Sequence, residues 1–155
     1  VHLENRSINL LKLHGSLNWY PFPMAETGKI RLRQKPYKQR GDKLYEIIPP
    51  EYAKTIGAKP IFRALWSRAE LALRKSSVIT FIGFSFTPTD LHVESLFRLA
   101  LAANSKLERI VIVNPNQEHR RRIQDILTRP LEREVRLVLF DTFAEFAPHA
   151  GPMLA

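Results

Sequence analysis

The chain has no cysteine among its 155 residues, which excludes disulfide bonds, a thiol nucleophile and thiolate zinc sites. Its remaining potential zinc ligands show no tight His or carboxylate spacing, so no metal is expected. No apolar run approaches the ~20 residues that a membrane-spanning helix needs. The opening Val1-His2-Leu3-Glu4-Asn5-Arg6 lacks the charged-then-apolar order of a signal peptide. Together these absences predict a soluble, cytoplasmic protein with no membrane partner. Acidic residues are also scarce, 15 against 24 Lys and Arg, for a formal net charge of +9.

The deficit of acid is confined to one half. Residues 1–75 hold 15 basic and 6 acidic residues, whereas residues 76–155 hold 9 of each. Between positions 29 and 43, Lys29, Arg31, Arg33, Lys35, Lys38, Arg40 and Lys43 face Asp42 alone. Such a patch suits the phosphates of a nucleotide or a nucleic acid, and it equally suits a solvated hairpin that only maintains solubility. Tyr37 is the single aromatic residue within it, so the stacking platform of a single-strand binder is missing.

With 45% hydrophobic and 25% charged residues, the composition is that of one globular domain with a real core. Ile8, Leu10, Leu11 and Leu13 read as a buried strand that runs out into a turn at His14-Gly15. The segments 28–33 and 43–48 could pair as a hairpin, making residues 20–60 a basic hairpin and loop insertion closed by Pro49-Pro50. From residue 61 the texture becomes regular, with Ile61, Phe62, Leu65, Trp66, Ala69 and Leu73 on one face of a helix ending near Lys75. The apolar run Val78 to Gly83 is typical of a strand buried on both faces. Thr87-Pro88-Thr89-Asp90 offers a cap, a first-turn proline and an acid, ahead of a helix carrying Leu91, Leu96, Phe97, Ala100 and Leu101.

The same unit recurs twice. Arg109 to Val113 runs into Asn114-Pro115-Asn116-Gln117 and a helix bearing Ile123, Ile126 and Leu127. Val135 to Phe140 runs into Thr142 and Glu145, which have capping-box spacing. Three strand, cap and helix units in succession predict an α/β fold, a Rossmann-like parallel sheet with flanking helices.

In such a sheet, ligands bind beyond the carboxyl ends of the strands, where helix N-termini expose unpaired N–H groups. The residues predicted there are His14 and Gly15, then Gly83, Phe84 and Ser85, then Asn114, Asp141 and Thr142. Glycine admits close backbone approach, serine and asparagine can bond ribose hydroxyls, and an acid accepts from a hydroxyl or an exocyclic amine. Four have a plainer alternative: Asn114 and Thr142 as helix caps, Gly83 as a packing residue, His14 as a hydrogen-bonded structural histidine. Ser85 has no periodic or capping role. His92, His119 and His149 read as surface residues.

Leu13-His14-Gly15-Ser16 resembles the Leu-His-Gly catalytic signature of sirtuins, and Phe81-Ile82-Gly83-Phe84-Ser85 resembles their Ile-Gly-Thr-Ser ribose-contacting turn. Val111-Ile112-Val113-Asn114 is similar to their later strand ending in an asparagine that contacts the adenosine ribose. The run Leu-His-Gly-Ser-Leu-Asn-Trp, followed by Ile47-Ile48-Pro49-Pro50 and Ile-Gly-Phe-Ser-Phe with Asp90 downstream, resembles more closely the bacterial sirtuin-like branch associated with NAD depletion in antiphage defence. That branch typically lacks zinc cysteines.

The resemblance spans nearly the whole chain but matches only the later part of a sirtuin-like domain, so the fold is expected to be incomplete relative to the family. The Gly-Ala-Gly phosphate loop and the Gln-Asn-x-Asp element are not in the sequence, and the chain begins at Val1. Both elements are expected upstream in a longer gene product, or on a partner, including a second copy, that supplies the missing part of the sheet, or else lost in a degenerate relative. The resemblance implies NAD as substrate, with His14 as general base toward the ribose hydroxyls. An ordinary imidazole titrates near pH ~6.5, so its neutral form can take that proton. Water as acceptor gives an NAD glycohydrolase, active only when the domain is complete; an acyl-lysine acceptor gives a protein deacylase. The third alternative is an inactive domain that binds a nucleotide, or a nucleic acid through Lys29, Arg31, Arg33, Lys35, Lys38 and Arg40.

Overall fold

The computed structural model describes residues 9–21, 30–32, 47–48, 59–129, 131 and 133–151. In chain order they form β1 (Trp19–Pro21), β2 (Ile30–Leu32), α1 (Pro60–Lys75), β3 (Val78–Ile82), α2 (Leu91–Ala102), β4 (Arg109–Val113), α3 (Gln117–Thr128), β5 (Arg136–Phe140), α4 (Phe143–Phe146) and a 3-10 turn, Ala147–His149. Contacts divide these residues into two units, one holding positions 9–48 and 59–69 and the other positions 70–151.

The second unit is a three-stranded parallel sheet in the order β3-β4-β5, flanked by helices: an α/β, Rossmann-like arrangement, small and incomplete beside a full doubly wound sheet. The β3–α2–β4 and β4–α3–β5 crossovers step the same way across the sheet, and α2 and α3 pack against each other. Phe81 meets Phe97 of α2, their ring centroids 5.1 Å apart. On the other face, Phe146 of α4 packs with Val111 and Val113, joined by Val78, Val138, Phe140 and Ala150.

Burial decides the rank of the strands. Ile110 to Val113 are all nearly inaccessible, so β4 is buried on both faces, and its β-branched residues suit that pleated interior. Fully burying such a side chain is worth about 1.5–3 kcal/mol. The expectation that Val78 to Gly83 is covered on both faces is corrected: Ile79 and Phe81 are buried, but Ile82 is 51% exposed. Among the described residues β3 has a neighbouring strand on one side only, whereas β4 has one on each side.

At the amino ends of the strands a buried asparagine ties three segments together. Asn104 Nδ2 donates to Leu73 O (2.6 Å) and Ser76 O (2.9 Å), and its Oδ1 accepts from Lys106 N (2.7 Å) and Leu107 N (2.9 Å). The end of α1, the entry to β3 and the approach to β4 are thereby joined through one side chain.

In the first unit, β1 and β2 form an antiparallel pair, with Trp19 opposite Leu32. Of the hairpin expected between 28–33 and 43–48, positions 28, 29, 33 and 43–46 lie outside the described residues; Ile47 makes an isolated bridge with Gly15. The strand expected over positions 8–13 is corrected. Among its described residues Leu10 is 77% exposed, and positions 9–12 form no ladder. Aliphatic residues alone do not make a strand when no partner accepts their N–H groups. No helix among the described residues is long and apolar enough to cross a membrane.

Candidate functional site

The strands of the second unit end level with one another, with Ile82, Val113 and Phe140 in register. The ladder continues one rung further: Gly83 N donates to Val113 O and Asn114 N to Phe140 O, each at 3.0 Å. Gly83, Asn114 and Asp141 therefore form a row just past the strand ends, spanning about 10 Å at ~4.8 Å per strand.

Gly83 turns the chain with φ +65°, which L side chains rarely adopt, and a Cβ built there would meet nothing within 4 Å. Its freedom serves the turn, and the space above it is open. Phe86, two residues beyond Phe84, also has a positive φ, 50°, at a cost of about 1–2 kcal/mol for a residue with a side chain. It is held there by burial: only 1% exposed, its ring lies 4.8 Å from Phe84, 5.5 Å from Phe97 and 5.8 Å from Phe81. Nothing in the sequence marks this aromatic cluster beyond the apolar character of its members.

Asn114 is buried and its amide is engaged on both sides. Nδ2 donates to Phe84 O at 3.0 Å, and Oδ1 accepts from Asn116 N at 2.9 Å. It does not cap α3. That role belongs to Asn116, whose Oδ1 accepts from Glu118 N (2.9 Å) and His119 N (3.2 Å), which corrects the expected cap by two residues. Thr142 does cap α4, in a full capping box: Glu145 N donates to Thr142 Oγ1 (3.2 Å), and Glu145 Oε2 accepts from Thr142 N (3.4 Å) and Asp141 N (3.0 Å). The Asp141 carboxylate meets the guanidinium of Arg120, from α3.

The start of α2 is also later than expected. Asp90 precedes its first residue, and Thr87-Pro88-Thr89-Asp90 is a turn closed by Asp90 N donating to Thr87 O at 2.9 Å. Ser85 lies half-buried between Gly83 and this turn. Of the histidines expected at the surface, His149 is exposed and stacks on Phe140 at 5.6 Å, whereas His92 is half-buried with Nδ1 shielded and unbonded.

The structure thus brings Gly83, Phe84, Ser85, Asn114, Asp141 and Thr142 to one end of one sheet. His14 and Gly15 belong to the first unit. There Gly15, at φ +80°, closes a turn by donating to Lys12 O (3.0 Å), and Ile48 N donates to His14 O (2.9 Å). Trp66 of α1 secures the turn, its Nε1 donating to Leu13 O at 3.0 Å and its ring meeting that of His14 edge-on at 6.1 Å. Nothing local in the sequence links residues 53 positions apart.

Among the described residues no group of three or more His, Cys, Asp or Glu could hold a metal ion. Of the basic run, Arg31 falls within β2; Lys29, Arg33, Lys35, Lys38, Arg40 and Lys43 lie outside the described residues. Comparison with family models, with curated proteins and with solved structures gives no match.

Proposed function

We propose that the second unit binds a nucleotide across the carboxyl ends of β3, β4 and β5, and that the nucleotide is NAD. The observation that carries this reading is the row of Gly83, Asn114 and Asp141, level in register and one rung past the strands. Open parallel sheets hold nucleotides in this position. Above Gly83 there is room for a ligand to reach the backbone, and Asp141 is 61% exposed at its side chain, so it can accept from a hydroxyl while paired with Arg120. Asn114 contributes the order of the loops more than a free amide, since both ends of its side chain already have partners.

The choice of NAD, and of nicotinamide release with His14 as general base, rests on the resemblance of Leu13-His14-Gly15 and Ile82-Gly83-Phe84-Ser85 to the sirtuin motifs. In that reading the reaction is hydrolysis at the ribose C1′, serving NAD depletion.

Calorimetric titration with NAD and with ADP-ribose tests the binding step. Saturable binding of both is expected, lost in Gly83→Val, whose side chain enters the open space over the turn. Absence of binding to either ligand overturns the reading. Fluorescence from an etheno-NAD reporter, on this chain and on any longer product that contains it, tests the chemistry. Turnover that persists at full rate in His14→Ala removes the histidine from the mechanism.

A further inference from the structure

We infer that a second site, for a small phosphate ester, lies in the groove between the Ser85–Pro88 loop, α2 and α3. This inference does not depend on NAD binding at the strand ends. The groove encloses about 550 Å³. That is within the range of about 300–1,000 Å³ typical of small-molecule sites.

Four guanidiniums line it: Arg98 from α2, and Arg121, Arg122 and Arg129 from α3. Arg98 is neutralised by Glu94 at 2.9 Å. The other three make no ion pair among the described residues, although Glu118 and Asp125 stand four positions from Arg122, Arg121 and Arg129, the spacing at which helical pairs usually close. Arg122 Nε is moreover buried with no acceptor. A planar guanidinium matches two phosphate oxygens at once, and a small rotation of Arg122 toward a bound phosphate would give that N–H its partner.

The remaining walls refine the ligand. Ser85 supplies a hydroxyl, from a loop whose strained Phe86 backbone is fixed by the aromatic cluster. Backbone strain of this kind persists where surrounding packing over-determines it, and it concentrates at binding loops. Glu118 and Asp125 also line the groove, and they repel a bare polyanion. Each can accept a hydrogen bond from a hydroxyl. The matching chemistry is one phosphate on the arginines with sugar hydroxyls toward the acids.

Ribose 5-phosphate is the probe, followed in ¹H–¹⁵N spectra of the whole chain through the arginine Nε–Hε signals. A saturable shift of the Arg122 signal is expected. Loss of one charge-assisted contact should weaken binding about ten- to a hundredfold, so Arg122→Gln and the exposed Arg129→Gln should both show it. Arg74→Gln, on α1 and paired with Glu70, serves as control for general charge and should bind as the parent does. No saturable shift overturns the inference. So does an equal loss in Arg74→Gln, and so does inorganic phosphate binding as tightly as the sugar ester.

Discussion

Two buried asparagines hold opposite ends of the parallel sheet, and neither is interchangeable with a residue of the same size. Asn104→Ala strands the carbonyls of Leu73 and Ser76 and the amides of Lys106 and Leu107. Partial relaxation to water limits the loss to about 2–4 kcal/mol, against about 1–3 for each buried group left unpaired. A lowered urea midpoint at unchanged slope is the expected result. Gly83→Ala should cost only about 1 kcal/mol, the backbone penalty alone, because no atom stands where its Cβ would go. Thermal unfolding of that variant separates conformation from crowding. Gly83 and Asn114 were legible in the sequence because each interrupts an apolar run. Asn104 was not: its partners Leu73 and Ser76 lie 31 and 28 positions away, and no periodicity points to them.

Helix starts illustrate where local rules suffice. Thr142 and Glu145 satisfy each other within four residues, so their spacing alone announced the cap. Thr142→Ala should cost about 1 kcal/mol and speed exchange of the Glu145 amide. Pro88 misled, since a proline fits the first position of a helix and the second position of a turn equally well. The turn won, and α2 begins at Leu91. Thr87→Ala should therefore alter stability by less than about 0.5 kcal/mol, because its hydroxyl is exposed and water can replace its bond to Asp90 Oδ2 (3.1 Å). A chemical denaturation comparison of the two threonine variants checks both values. Strand pairing was the least legible level, because Trp19–Pro21 and Ile30–Leu32 are each three residues long and their partnership depends on chain that links them.

Across the whole molecule, order is graded from one strand outward. β4 and the inner face of α3 hold the least accessible residues, among them Val111, Ile112, Ile123 and Leu127, all at 0% exposure. Their amides should exchange most slowly with deuterium, and those of the short β1–β2 pair fastest, as opening free energy follows buried contact. The alternation of strand and helix that builds this core was plain in the sequence; its two-sided burial belonged to β4 rather than to β3, a matter of neighbours that no single segment encodes. The strand-end loops carry a different consequence. Asn114 bonds Phe140 O through its backbone, Phe84 O through its amide and Asn116 N through its carbonyl oxygen. One residue thus ties the loop after β3, the loop after β4 and the end of β5 together, so that its loss would release all three at once.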